Sequence, residues 1–368
     1  MPRLSGVGHL QDFVIKIHSR CDLACDYCYM YFSADQRWRS RPRSMPVDVV
    51  KRTAERIGEH VRAHRPPYVN VILHGGEPLL AGPSLIELAV TAIRREAGPV
   101  ARMRIQTNGV LLTRSYLRLF DRLRVRVGVS LDGDRLGHDR HRRDHAGHGS
   151  HDAVTRALDL LASPDHRHLY TGVLCVVDPA NDPITTYEAL LASRPPAIDL
   201  LLPHANWGDP PRAGYGDWLV AVFDRWYRAP KLETRIRFFE EIMHGLLGGR
   251  PRADGLGATP SRVVVVETDG ELEGPDSLKS AHESAAATGL SVLRHSFDDV
   301  PALAPEPSET CLRCPVHRVC GGGLPAHRYR PGSGFGHPSA YCRDLFRLIT
   351  HVRDTLARDL EAARPGVR

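Results

Sequence analysis

No run of about twenty apolar residues occurs in this chain, so a membrane-spanning helix is not expected. The N-terminal stretch MPRLSGVGHLQDF has no apolar core of the kind an export signal needs. Lysine is scarce: most of the 49 basic residues are arginine, scattered among 43 acidic ones, and the net charge is only +6. The densest basic run, Arg37 to Arg43, reads as a solvated surface, and neither nucleic acid nor membrane is expected as a partner. The composition, 42% hydrophobic and 25% charged, is that of an ordinary globular protein. A length of 368 residues suits two domains, or one with an appendage. The expected compartment is the cytosol, where thiols stay reduced and are better read as metal ligands than as disulfides.

What is present is concentrated in eight cysteines. Cys21, Cys25 and Cys28 form a C-x3-C-x2-C run just after the apolar segment Phe13 to Ile17. A [4Fe–4S] cluster usually takes four thiolates, so three leave one iron open to a substrate or cofactor. Zinc with a fourth ligand from elsewhere is the alternative that spacing leaves open. Cys311, Cys314 and Cys320 read C-x2-C-x5-C, and Cys342 follows after a gap of twenty-one residues. Four thiols close either a complete [4Fe–4S] cluster or a zinc site. Cys175 lies inside the apolar run Val173 to Val177 and reads as a small buried hydrophobe.

Short apolar runs begin at Phe13, Val69, Met103, Val125, Leu169 and Ile198, and helical patterns separate them. One helix repeats Val50, Ala54, Ile57 and Val61; others cover 85–94, 113–123, 152–162 and 184–193. Six strand–helix units in series predict parallel strands with helical crossovers, an α/β partial (β/α)6 barrel. Polar motifs fall where the strands end: the cysteine loop, His74-Gly75-Gly76-Glu77-Pro78, Gln106-Thr107-Asn108-Gly109, Ser130-Leu131-Asp132-Gly133 and Pro203 to Trp207. In α/β barrels that rim carries the site. Beyond it the sequence predicts helices over 215–227 and 235–247 and a Gly/Pro-rich link over 248–260. A hairpin with Asp269-Gly270 at its turn and a final helix marked by Leu345, Ile349, Val352, Leu356 and Leu360 complete the chain. The division expected is 1–228 for the barrel and 229–368 for a C-terminal α+β domain.

The cysteine run, with Tyr27 before its last thiol and GGEP one strand later, resembles the radical S-adenosylmethionine (SAM) enzymes. The resemblance implies a [4Fe–4S] cluster on Cys21, Cys25 and Cys28 whose open iron binds SAM. It implies SAM contacts from Gly75, Gly76 and Glu77 to the ammonium, Ser130 and Arg142 to the carboxylate, Asn108 to the ribose and Tyr27 to the adenine. The alternative for Arg142 is a surface residue beside Arg140 and Arg143. Asp132 is a candidate proton acceptor or substrate ligand, or else the holder of a turn. The late cysteines resemble half of a SPASM domain. No cysteine follows the Asp269-Gly270 hairpin, where Gly274-Pro275-Asp276 stand, and Leu324 occupies another expected thiol position. One auxiliary [4Fe–4S] cluster is expected, on Cys311, Cys314, Cys320 and Cys342, and the second is not.

The segments LSGVGHLQDFVIKIHSRCDLACDYCY, LLPHANW, ETDGELEGPDSLKSA and CPVHRVCGGGLPAHRYRPGSGFGHPSAYC resemble the FxsB-type radical SAM/SPASM peptide maturases. That resemblance implies hydrogen abstraction from a Cβ of a ribosomally synthesised precursor peptide, then bonding of that carbon to an aromatic ring to close a cyclophane. It implies an electron donor such as flavodoxin or ferredoxin. No HExxH motif is present, so the metallopeptidase activity of some relatives is not expected. With about a dozen residues before the first strand, the peptide is expected on the barrel rim and C-terminal domain, as an added strand on a sheet edge. His204, Asn206 and Trp207 are candidates to touch it, with packing as the alternative for each. Two rivals stand beside this reading: a sulfatase-maturase-like oxidase acting on Ser or Cys, and a zinc-stabilised peptide-binding protein without catalysis.

Overall fold

The structure, a computed structural model, describes residues 10–257, 261–301 and 305–363. The first nine residues, where one resembling segment begins, and the last three of the Gly/Pro-rich link lie outside them. Strands β1 (Asp12–His18), β2 (Val69–Gly75), β3 (Ala101–Thr107), β4 (Arg126–Ser130), β5 (Tyr170–Val176) and β6 (Ala197–Leu201) alternate with helices. The helices are α1 (Val47–His64), α2 (Gly82–Ala97), α3 (Arg114–Arg122), α4 (Arg135–His141), α5 (His151–Ala162) and α6 (Pro183–Ala192). All neighbouring strands from β1 to β6 pair in parallel. The partial barrel read from the sequence is therefore present.

Period-two burial sets the two faces of the sheet. On β2, Val69, Val71 and Leu73 are buried, as are Val50, Ala54 and Ile57 of α1. The alternate positions are only half-buried and present polar groups: His74 on β2, Gln106 on β3, Ser130 on β4. The helix α4 is an element that periodicity does not announce. It is seven residues long, and the Asp134 side chain caps it by accepting from the Gly137 amide at 2.9 Å.

The C-terminal third joins the same sheet at both edges. Helix α7 (Tyr215–Tyr227) precedes β7 (Arg235–Ile236), which pairs with β6, so the helix expected from 235 begins two residues later as α8 (Arg237–Leu246). Strand β8 (Val263–Val266) pairs in parallel with β1, and β9 (Glu271–Glu273) and β10 (Ala287–Ser291) continue antiparallel. The sheet thus runs β10-β9-β8-β1-β2-β3-β4-β5-β6-β7 and crosses the boundary expected at residue 228. Short helices α9 (Glu309–Leu312) and α10 (His317–Cys320) carry late cysteines, and α11 (Cys342–Ala362) closes the chain. It buries Leu345, Ile349, Val352 and Leu356, whereas Leu360 is exposed because the helix outruns its packing surface. Cys175 is fully buried in β5. No helix among the described residues is long and apolar enough to cross a membrane.

Candidate active site

The end of β1 delivers Cys21, Cys25 and Cys28 onto one loop, and three neighbours fix that loop. Ala24 N donates to Arg143 O (2.7 Å), and Cys28 N donates to Cys25 O (3.0 Å). The third is GGEP. Gly76 N donates to His18 O and Glu77 N to Arg20 O, both at 2.9 Å. A Cβ on Gly75 would collide with the His18 carbonyl, and one on Gly76 with the Tyr31 hydroxyl and Arg20 carbonyl. These glycines therefore serve close approach of backbone to the cysteine loop.

Glu77 is spent in the same way. Its carboxylate accepts from Leu79 N (2.9 Å), Thr107 Oγ1 (2.7 Å) and Asn108 N (2.8 Å), tying β2 to the end of β3. Burial pushes its pKa up to about 7 against those hydrogen bonds. It has no exposed surface with which to meet an ammonium directly. Asn108 donates to Asp22 Oδ1 at 2.7 Å and approaches the Cys21 sulfur at 3.7 Å. Ser130 Oγ accepts from Gln106 Nε2 at 3.2 Å.

Asp132 is buried with both oxygens engaged. Oδ1 accepts from Val176 N (2.9 Å) and Arg142 Nη2 (3.3 Å); Oδ2 accepts from Arg142 Nε (2.7 Å) and from the Tyr27 hydroxyl. Burial raises its pKa, but the Arg142 charge and these bonds outweigh that and hold it below the usual carboxylate range. Instead of a free proton acceptor, the fold presents a clamp. Arg142, buried rather than on the surface, packs over the Tyr27 ring at 5.5 Å. Arg140, its neighbour, is the surface residue, paired with Asp178.

All eight cysteines are unpaired. Burial raises the thiol pKa of Cys21, Cys25 and Cys28, that of Cys25 to about 11, so ligation must displace protons. Their spacing discriminates between metals. Zinc–sulfur bonds of about 2.3 Å in a tetrahedron hold sulfurs within about 4 Å of one another. Among the described residues neither thiol set has three sulfurs mutually within 4.8 Å. Cys311, Cys314, Cys320 and Cys342 surround an open pocket of about 440 Å³ with Val316 and Phe346 in its wall. Burial pushes the Cys320 thiol up to about 11.

The sequence pattern of the Radical SAM superfamily matches residues 15–181. This stretch has the radical SAM fold. Its cofactors are SAM and a [4Fe–4S] cluster, and the four late thiols fit one auxiliary [4Fe–4S] cluster. The chain is 28% identical to the serine-type anaerobic sulfatase-maturating enzyme of Klebsiella aerogenes, over 94% of this chain and 86% of that one. It is 24% identical to the cysteine-type enzyme of Clostridium perfringens, over 83% and 86%. Among solved structures, native anSMEcpe with bound AdoMet superposes with a TM-score of 0.79 at 21% identity, covering 95% of this chain and 99% of that one. These likenesses extend beyond the radical SAM domain into the auxiliary-cysteine region.

Sequence reasoning missed the floor of this site. Lys16 on β1 is fully buried, 2.5 Å from Asp276 Oδ2 and 3.2 Å from His74 Nδ1. Burial lowers its pKa, and Asp276 opposes the shift. Burial first, then the Lys16 charge, pushes His74 down to about 3. Asp276 also meets Lys279 at 3.0 Å and the Tyr29 hydroxyl at 3.4 Å. Around it, Lys16, Arg37, Arg41 and Lys279 face Asp35, Glu267, Asp269, Glu271, Glu273 and Asp276, four cations against six carboxylates, with Asp269 and Glu271 on the solvent side. This network stands where the sequence departs from the SPASM pattern. The available signal was a lysine inside an otherwise apolar strand.

The rim residues make the contacts of the packing alternative. Asn206 is buried and holds a turn, accepting from Gly208 N at 2.8 Å and donating to Ser280 O at 3.1 Å. Trp207 Nε1 donates to Pro338 O at 2.7 Å, joining the rim to the late-cysteine region. His204 packs between Tyr29 and His327.

Proposed function

We propose that this protein is a peptide-modifying radical SAM oxidoreductase that oxidises a Ser or Cys side chain at Cβ. The observation that carries the reading is likeness over most of the chain to serine- and cysteine-type sulfatase maturases, together with two separate sets of unpaired thiols. When bound, SAM and the reduced cluster supply a 5′-deoxyadenosyl radical that takes a hydrogen atom from the substrate.

This chain's own residues position the partners. Cys21, Cys25 and Cys28 hold the cluster, and the Tyr27–Asp132–Arg142 clamp fixes the loop that carries them. Ser130 and Asn108 stand at strand ends, and Arg142 just after α4, where SAM polar groups are to be held; Gly75, Gly76 and Glu77 act by shaping the loop around them. Lys16, His74, Tyr29 and Asp276 form the polar floor on which the peptide side chain is oriented, with Asp276 as the carboxylate nearest to receive a proton. Holding the chosen C–H bond in place and excluding water is the protein's contribution. A flavodoxin or ferredoxin supplies the electron that starts the cycle.

A second reading, cyclophane formation in a ribosomally synthesised peptide, is favoured by one feature: the ion network and four late cysteines in place of the fuller SPASM set. Ser oxidation and cyclophane closure both remove two hydrogens. Peptides offering Ser, Cys and aromatic residues, incubated anaerobically with reconstituted protein, SAM and dithionite, separate them. Ser oxidation gives an aldehyde, and Cys oxidation gives a thioaldehyde that water converts to the same aldehyde with release of hydrogen sulfide; the aldehyde reacts with a hydrazide, whereas a crosslink does not and requires the aromatic residue. Unmodified peptides throughout would remove both.

A further inference from the structure

Four rings run from the residue after Cys28 to the residue before Cys342. Tyr29 meets His204 edge-on with centroids 4.9 Å apart; His204 and His327 are 6.1 Å apart, and His327 and Tyr341 4.7 Å. Tyr341 is fully buried and His327 is 2% exposed. The Tyr341 hydroxyl donates to Pro203 O at 2.9 Å, pinning the last ring to the backbone beside His204.

The histidines are oddly employed for structural residues. Nδ1 of His204 and both ring nitrogens of His327 make no hydrogen bond; the Pro203 carbonyl beside His327 lies outside bonding geometry. Buried polar groups without partners cost stability, so packing alone favours apolar side chains here. Burial pushes both imidazoles down, to about 4 and about 3, which keeps them neutral. The column also joins the two thiol sets where the described residues place no third set between them; the position after the Asp269-Gly270 hairpin holds the ion network instead.

We propose that Tyr29, His204, His327 and Tyr341 are the path by which the electron released from the oxidised peptide reaches the auxiliary cluster on Cys311, Cys314, Cys320 and Cys342. This rests on the peptide oxidation proposed above. After a hydrogen atom leaves Cβ, the carbon radical gives up one electron through the rings, and the auxiliary [4Fe–4S] cluster accepts it. The C=O or C=S bond forms as the electron leaves, and the O–H or S–H bond then breaks: the protonated product is acidic enough to pass its proton even to Asp276, whose carboxylate Lys16 and Lys279 hold well below the usual range. The rings neither gain nor lose protons. They act as packed atoms spanning what would otherwise be a gap.

Freeze-quench electron paramagnetic resonance of the reconstituted protein with SAM and a substrate peptide follows both species: the carbon radical as it decays and the reduced auxiliary cluster as it appears. His327→Ala opens a gap in the column, whereas His327→Phe keeps a ring there and removes its nitrogens. With iron content and first-turnover 5′-deoxyadenosine equal to the wild type, the Ala variant should prolong the radical at least about tenfold. The Phe variant should stay near the wild type. Equal decay in the Ala variant and the wild type overturns the path, and so does equal slowing in both variants. Should the Ala variant lose iron, His204→Ala against His204→Phe makes the same comparison one ring earlier in the column. A wild type that makes neither radical nor altered peptide refutes the proposed oxidation itself, and the path with it.

Discussion

The Lys16 ammonium, on the first strand, lies 2.5 Å from the Asp276 carboxylate that follows the late hairpin, and both face the interior of the site. Removing one partner of a buried pair leaves the other charged and unpaired, at a cost of about 3–5 kcal/mol. Asp276→Asn should therefore lower the unfolding free energy of the cluster-free protein, read from its urea transition, by that order. Lys16→Met combined with Asp276→Asn should recover part of the loss, since no lone charge remains at that pair. If the two substitutions simply add, the pair is not coupled as the distance implies.

Gly76→Ala should displace the cysteine loop, because the new methyl would meet the Tyr31 hydroxyl and the Arg20 carbonyl. The expected outcome is loss of iron from the first cluster with the auxiliary cluster retained. Iron analysis after reconstitution checks it, and full iron content in the variant would contradict the packing role.

Cys314→Ala should do the opposite. Iron should fall from about eight to about four per chain, the content of one cubane cluster. Cleavage of SAM should survive while completion of the peptide oxidation falls. Unchanged iron would show that the late thiols do not hold a cluster.

Glu77 gives a pH signature. Its folded pKa is raised to about 7 from an ordinary value of 4.5, so the folded state binds this proton more tightly than the unfolded state. The stability it contributes is full below about pH 4.5 and is lost as pH rises through about 7. Glu77→Gln loses at least one buried hydrogen bond, about 1–3 kcal/mol. The difference between its stability and that of the wild type should shrink between pH 4.5 and 7 in the cluster-free protein. A pH-independent difference would place the Glu77 pKa near its ordinary value.

Buried histidines act with the other sign. His74 and His327 are pushed down to about 3, and His138 and His204 to about 4, each first by burial. Unfolded histidines protonate near pH 6.5 while the folded ones stay neutral. Stability is therefore present above that value and lost as pH falls toward 4, by about 1.4 kcal/mol per pH unit for each proton taken up. Replacing buried His138, which bonds Asp132 N and Ser150, with Gln should reduce that acid slope by one proton. An unchanged slope would contradict burial of the neutral ring.

Much of the fold was legible because strand and helix periodicity are local. The six barrel strands and α1 follow directly from alternating and 3.6-residue patterns. The cysteine spacings named the cluster sites for the same reason. Partnership across the chain was not legible. Nothing local says that Glu77 spends its oxygens on residues 79, 107 and 108, or that Asp132 clamps Tyr27 and Arg142. The ion network joins residues 16 to 41 with 267 to 279, and only the pairing of β8 with β1 brings those segments together. The ring column likewise draws on four separate loops. Lys16 alone gave a warning, as a charge placed where a fully buried strand position calls for an apolar side chain.

The most direct test of the central claim uses peptide deuterated at the Ser or Cys Cβ. Incubated anaerobically with reconstituted protein, SAM and dithionite, it should yield 5′-deoxyadenosine carrying one deuterium and a peptide oxidised at the labelled residue. The Cys21→Ala/Cys25→Ala/Cys28→Ala protein should yield neither. Unlabelled 5′-deoxyadenosine beside an oxidised peptide, or equal product from the triple variant, would contradict hydrogen abstraction from Cβ by a radical SAM domain.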